Sequence, residues 1–259
     1  MSLSVIVIAK NEAAVIRRCL ESVAWADEMI VLDSGSTDST VEICRKCKAR
    51  VEASAEWRGF GVQKNRVLAF ATGDWVLSID ADEWVTEGLR AELQAAMATP
   101  DAHSAFRMPR LSSYCGRFMR HSGWWPGHVT RLFRRGQARF SDDLVHEKLI
   151  VQGAVGTLRA PLMHESYRNL EQVLAKTNAY SSAGAAMARQ RGRRAGLGGA
   201  VLRGLWSFFR TYFLRAGFLD GREGFMLAVS NAEVTYYRSV KLMLLAEREQ
   251  RNGQRASTN

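Results

Sequence analysis

The residues with the most chemistry to offer are Asp80, Asp82 and Glu83, three carboxylates that follow a short apolar run, Trp75 to Ile79. A run of that length, bounded by turn residues, reads as a buried strand with the carboxylates just past its C-terminal end. Like charges so close repel unless a cation lies among them, and a hard divalent ion bridging to a ligand's phosphates relieves the repulsion. Asp-x-Asp at a strand end therefore reads as a metal and diphosphate clamp. The plainer alternative is a turn and helix cap, which Asp also makes readily after a strand.

The elements that must position these groups come earlier in the chain. Leu3 to Ile8 reads as a first buried strand. Lys10-Asn-Glu12 follows, then an amphipathic helix with Val15, Ile16, Cys19, Leu20 and Val23 on one face, capped by Asn11. Met29 to Leu32 reads as the second strand, Asp33 to Asp38 as a dense turn, and a helix is expected from near Ser39. Val51 to Ala53 gives a short third strand and Gly61 to Ala71 a helix. Alternating strand and helix predict an α/β fold with a mostly parallel sheet wrapped by right-handed crossovers, and ligands of such sheets bind beyond the carboxyl ends of the strands. Lys10 to Glu12, Asp33 to Asp38 and Asp80 to Glu83 should then meet in one crevice, which isolated turns would not require.

The chain of 259 residues is long enough for one large domain or a catalytic domain with an appendage. Apolar content of 47% with 24% charged residues excludes a disordered chain. The net charge of +10 is unevenly spread: residues 1–100 hold 11 Lys+Arg against 15 Asp+Glu, and residues 101–259 hold 25 against 11. The basic half is suited to an anionic partner such as ligand phosphates, a membrane surface or nucleic acid. Four cysteines are too few for a disulfide scaffold, and the run from Ser4 to Ile8 is too short for a secretory signal, so a cytosolic location is expected. Cys44-x-x-Cys47 lies in a helical stretch without a second pair to complete a zinc site. No Gly-x-Gly-x-x-Gly follows the first strand and there is no P-loop, which disfavours a dehydrogenase or an NTPase.

Farther along, Tyr114 to Phe133 is rich in glycine, aromatics and bases, a composition that suits either a sugar-stacking surface or a hairpin whose tryptophans finish a core. His146-Glu147 and His164-Glu165 form two His-Glu pairs eighteen residues apart. After Asn169 the pattern turns helical. Val201 to Phe218 mixes Leu202, Leu205, Trp206, Phe209 and Phe213 with Arg203, Arg210 and Arg215, as an interfacial helix does, although such helices also pack as ordinary covers. No stretch of eighteen residues lacks charge, so no membrane span is expected.

Ser4-Val-Ile-Val-Ile-Ala-Lys-Asn-Glu12, Val31-Leu-Asp-Ser-Gly-Ser-Thr-Asp-Ser-Thr40, Gly61-Val-Gln-Lys-Asn65 and Ser78-Ile-Asp-Ala-Asp-Glu83, in that order and spacing, resemble the family 2 glycosyltransferases of the GT-A fold. The branch most resembled is the lipopolysaccharide core β-1,4-glucosyltransferases of Gram-negative bacteria, through Tyr114-x-Gly-Arg-x-x-Arg-His-x-Gly-Trp124, Arg131-Leu-Phe-Arg-Arg135 and Val145-His-Glu147. The likeness covers about residues 3–180. It implies a nucleotide-sugar transferase domain over residues 1–168 and a basic, helical, membrane-associating region over residues 169–259.

By the resemblance, Ala9, Lys10, Asn11 and Glu12 border the uracil and ribose, and Asp33 with Ser34 meets the base. Asp80 with Ala81 holds the ribose or donor sugar, and Lys64 or Arg131 meets the charge of the leaving group. Asp82 binds Mg²⁺ or Mn²⁺ bridging the diphosphate, with His164 completing the metal shell. Inversion at the anomeric carbon needs one general base, for which Glu147 is the first choice, Asp143 the second and Asp142 the third. An ion pair with a nearby arginine is the structural alternative for Glu147. Pro126-Gly127 departs from the Pro-Asp usual in related sequences, a change that bears on the acceptor.

The expected partners are a UDP-hexose, a lipopolysaccharide precursor carrying heptose, and the cytoplasmic surface of the inner membrane, with no nucleic acid. Polyprenyl phosphate or another polysaccharide is the alternative acceptor. A basic membrane or nucleic-acid adaptor is the alternative without catalysis.

Overall fold

The computed structural model describes residues 1–54, 56–99, 103–141 and 148–256, with side chains as far as residue 249. They form two compact units, one of Met1–Leu111 with Pro126–His164 and one of Ser112–Trp125 with Glu165–Asn259. Asp142, Asp143 and Glu147, the three carboxylates considered as general base, lie outside the described residues.

The first unit begins with the predicted alternation: β1 (Leu3–Ala9), α1 (Ile16–Ser22), β2 (Glu28–Asp33), α2 (Thr40–Lys46), β3 (Arg50–Ala53), α3 (Phe60–Leu68) and β4 (Trp75–Ser78). In chain order β5 (Glu83–Val85) and α4 (Glu87–Ala98) follow, then β6 (His103–Tyr114), β7 (Arg117–Phe118), whose residues belong to the second unit, β8 (Gly127–Arg134), β9 (Ala138–Phe140), β10 (Leu149–Val151), β11 (Ala154–Thr157) and β12 (Leu162–Tyr167). The main sheet runs β3-β2-β1-β4-β8-β6-β12-β5. β3, β2, β1 and β4 are parallel, β8 returns antiparallel beside β4, and β12 lies antiparallel to β5.

The reason these residues make strands is visible in their two buried faces. In β1, Leu3, Val5 and Val7 point into a core shared with Ile16, Leu20, Leu89 and Leu93, while Ile6 points the other way among Ile30, Val67, Val76 and Phe133. A strand covered on both sides reads as a continuous apolar run, as β1 does.

Two boundaries differ from expectation. Asn11 does not cap α1, which starts at Ile16 with no side-chain cap; instead Asn11 is left-handed, with φ of 56°, and its Oδ1 accepts the Thr37 amide at 2.8 Å. The helix expected over Gly61 to Ala71 spans Phe60–Leu68.

In the second unit, α5 (Leu170–Gln190), α6 (Leu197–Phe209) and α7 (Gly221–Ala256) follow one another, and α5 and α6 both pack on α7. Asn169 Oδ1 accepts the Gln172 amide while Gln172 Oε1 accepts the Arg168 amide, a reciprocal cap that fixes where α5 begins. Val201 to Phe218 is not one helix: α6 stops at Phe209, a π turn covers Arg210–Leu214 and a 3₁₀ turn Gly217–Asp220, with left-handed Ala216 between them. The α/β class and the C-terminal helical stretch expected from the sequence are both present.

Buried Asp220 accepts the amides of Arg120 and His121 at 3.0 Å and the Ser122 hydroxyl at 3.0 Å. Trp124 packs against Tyr114 and Tyr167, so this tryptophan finishes an aromatic cluster. No helix among the described residues is long and apolar enough to cross a membrane.

Candidate active site

Strand pairing in the first unit brings the acidic triplet together with residues far away in sequence. β5 pairs with β12 so that Glu83 faces His164. The His164 imidazole Nε2 consequently lies 3.4 Å from Asp82 Oδ2. The antiparallel pairing of β8 with β4 sets Leu132 opposite Leu77, which carries the adjacent Arg131 to the same strand end. There Arg131 Nη2 donates to Asp80 Oδ2 at 2.5 Å and to Glu83 Oε1 at 2.6 Å. Lys64, from α3, reaches Asp80 Oδ1 at 2.9 Å.

The electrostatics assign different work to the three carboxylates. Glu83 is fully buried, accepts from Arg131 and from Arg110 at 3.2 Å, and closes the turn by accepting the Asp80 amide at 2.9 Å. It is a structural anchor. Burial pushes Asp80 up, but the Arg131 guanidinium and Lys64 ammonium outweigh it and hold the carboxyl well below the usual carboxylate range. Asp80 therefore stays ionised with fixed orientation. Burial lowers Arg131, and the Asp80 and Glu83 carboxylates more than reverse that, so the guanidinium stays charged. Its Nε is buried with no hydrogen-bond partner among the described residues. Nearby Cys19 is pushed well up by burial and then by Glu83, Asp82 and Asp80, which keeps it a thiol.

Asp82 and His164 are the pair that fits a cation. The His164 imidazole Nε2 and Asp82 Oδ2 stand 3.4 Å apart, close enough that both would reach one divalent cation. No third His, Cys, Asp or Glu joins them among the described residues. One carboxylate, one imidazole and the oxygens of a diphosphate are a suitable donor set for such an ion.

The other predicted residues lie at the ends of β1 and β2, where two loops are sewn together. The Ser34 amide donates to the Ala9 carbonyl at 2.9 Å, and the Asn11 amide donates to Ser36 Oγ at 2.9 Å. The Glu12 amide donates to Thr40 Oγ1 at 2.8 Å. Asp33 is buried, and its carboxylate accepts the amides of Gly35 at 3.1 Å and Ser36 at 3.0 Å. Gln63 of α3 donates to Ser34 Oγ at 2.9 Å, so the helix that supplies Lys64 also braces this loop. Sequence reading missed Arg110 and Gln63. The Gly61-Val-Gln-Lys-Asn65 motif contained a signal for the second, since Gln63 stands beside Lys64.

Cys44 belongs to no such constellation. It is buried, and burial with the neighbouring Cys47 pushes its thiol up to about 11.

A parallel sheet whose strand ends gather an ionised aspartate, two fixed cations and a carboxylate-imidazole pair has the charge arrangement that suits an anionic ligand. The chain belongs to glycosyl transferase family 2, whose model matches residues 4–159. It is 30% identical over 256 residues to an uncharacterized glycosyltransferase of Rickettsia bellii (strain RML369-C), covering 94% of this chain and 87% of that one. It is 28% identical over 256 residues to the lipopolysaccharide core biosynthesis glycosyltransferase LpsC of Rhizobium meliloti (strain 1021), covering 93% and 92%. Among solved structures it is similar to glucosyl-3-phosphoglycerate synthase from Mycobacterium tuberculosis in complex with Mn²⁺, UDP and glucosyl-3-phosphoglycerate, at 31% identity and a TM-score of 0.36. That likeness covers 44% of this chain and 44% of that one.

Proposed function

We propose that this glycosyltransferase moves a hexose, glucose foremost, from a UDP-sugar to a heptose of the lipopolysaccharide inner core, with inversion at the anomeric carbon. The observation that carries the reading is the Asp82–His164 pair at the strand end where Lys64 and Arg131 fix Asp80. Residues Ala9 to Glu12 and the Asp33-Ser34 turn border uracil and ribose. Asp80, kept ionised and oriented by its two cations, accepts hydrogen bonds from sugar hydroxyls, with Ala81 beside it. A divalent cation, Mg²⁺ or Mn²⁺, held by Asp82 and His164 would offset the charge that grows on the departing diphosphate. Glu147 is the general base that takes the acceptor hydroxyl proton, and Asp143 is the reserve choice.

The acceptor reading is supported by the relative LpsC, whose name gives lipopolysaccharide core biosynthesis. Membrane contact is supported by the second unit. Along α6 and the turns after it, Leu202, Leu205, Trp206, Phe213 and Leu214 are all more than half exposed, a composition that suits the cytoplasmic face of the inner membrane.

Two substitutions test the chemistry. Asp82→Ala should lower transfer from UDP-glucose on the order of 10²-fold or more while the circular dichroism spectrum is kept; full turnover would remove the metal clamp. Glu147→Gln should bind donor normally and stop transfer, and an unchanged rate would pass the role to Asp143. Radiolabelled transfer into a lipid A-core acceptor, compared with polyprenyl phosphate, decides the acceptor.

A further inference from the structure

The second unit contains a cavity of about 250 Å³ lined by Arg191, Arg193, Arg194, Arg203 and Arg238, and no Asp or Glu is among its lining residues. The charge there is part of a larger asymmetry. Residues 112–125 and 165–259 contain 17 Lys+Arg and 7 Asp+Glu, a difference of +10, whereas the first unit contains 19 of each. The whole net charge of the protein is therefore carried by the second unit.

Several features hold the arginines in place. Arg203 Nε donates to Ser239 Oγ at 3.3 Å, tying α6 to α7 at the cavity wall. Two helical glycines lie under the arginine side chains. A Cβ on Gly184 of α5 would stand 2.8 Å from Arg238 Cδ, and one on Gly199 of α6 would stand 3.1 Å from Arg203 Nη2. Glycine is a poor helix former; at position 184 it leaves room for the Arg238 stem to pass over α5, and at position 199 for the Arg203 guanidinium one turn along α6. Five arginines line this one space with no carboxylate among the lining residues to offset them, an excess of positive charge that an anion would relieve, and the planar guanidinium fork matches phosphate oxygens two at a time.

We propose that this arginine cavity is a binding site for a phosphomonoester or diphosphate group on a membrane lipid, and that it anchors the second unit to an anionic bilayer. The lipid source follows from α6 itself. Leu202, next to Arg203, and Leu205, two residues beyond it, are 69% and 63% exposed, so the helix that supplies a cavity arginine also presents the apolar side chains that enter acyl chains. The inference rests on the reading that the second unit meets a membrane, and it is independent of which sugar is transferred.

Flotation of the full chain with vesicles tests it. Three vesicle types are compared: phosphatidylcholine alone, phosphatidylcholine with phosphatidylglycerol, and phosphatidylcholine with phosphatidic acid at matched surface charge. The unmodified protein should bind the phosphatidic acid vesicles about fivefold or more tightly than the phosphatidylglycerol vesicles, because a phosphomonoester offers more oxygens to the guanidinium forks. Arg193→Gln/Arg194→Gln/Arg238→Gln should abolish that preference, and the charge-matched Arg168→Gln/Arg210→Gln/Arg222→Gln should keep it. Calorimetric donor binding, which belongs to the first unit, should be unchanged in both.

Equal binding to the two anionic vesicles, or a preference that survives loss of the cavity arginines, would overturn the proposal. So would a protein that ignores every vesicle yet takes up free pyrophosphate through those arginines, since the source would then be soluble. Absence of UDP-glucose binding by the unmodified protein, with the lipid preference intact, would instead sink the proposed donor and leave this inference standing.

Discussion

At the scale of single residues, the acidic triplet shows how far residue type alone can carry an argument. Asp80, Asp82 and Glu83 were legible as a cluster because they follow an apolar strand, but their separate duties were not. Those duties depend on Arg131, Arg110, Lys64 and His164, which strand pairing and α3 bring in from distant positions. Glu83 proves to be an anchor and Asp80 an ion held between two cations. The pH dependence follows from Asp80. Its pKa is depressed in the folded protein by Arg131 and Lys64, against the raising effect of burial. Its contribution to stability is thus fully present above the unfolded value of about 4 and is lost as pH falls from there toward the folded value. Asp80→Asn removes a titrating group, so urea unfolding between about pH 5 and pH 2 should show a shallower decline in the variant, from a lower starting stability. Parallel declines would mean that Asp80 is not held by its neighbours.

At the scale of elements, the long and strongly patterned pieces were legible and the short ones were not. β1, β2 and β4 announce themselves as apolar runs, and Asn169 with Gln172 gives α5 a readable beginning. β5, β9 and β10 have three residues each, too few for any periodicity to register. The break after α6 escaped notice because it turns on an alanine at φ of 52°, a conformation sequence does not advertise. Tyr114 to Phe133 read from its composition as either a binding surface or a hairpin whose tryptophans finish a core, and within it Asp220 pins Arg120, His121 and Ser122 through two amides and a hydroxyl. Asp220→Ala leaves those donors without their acceptor and should cost about 2–4 kcal/mol in chemical denaturation. A change below about 0.5 kcal/mol would show that the carboxylate does not hold the segment.

At the scale of the molecule, the two compact units divide the charge as well as the chain. The first is neutral overall and holds the strand-end site, while the second carries all of the +10 and the exposed aromatic face. The sequence showed this asymmetry as an acidic front and a basic back, but not that residues 112–125 belong with the C-terminal helices, because that membership depends on contacts with α7 and Asp220. Donor binding should accordingly be little affected by salt-dependent events on the second unit. The proposed chemistry depends above all on one ion shared between Asp82, His164 and a nucleotide's diphosphate. Isothermal titration of UDP-glucose into the protein and into Asp82→Ala, each with and without Mn²⁺, tests this directly. Mn²⁺ should tighten binding to the unmodified protein about tenfold or more and have no effect on the variant, whereas equal affinities in all four titrations would contradict it.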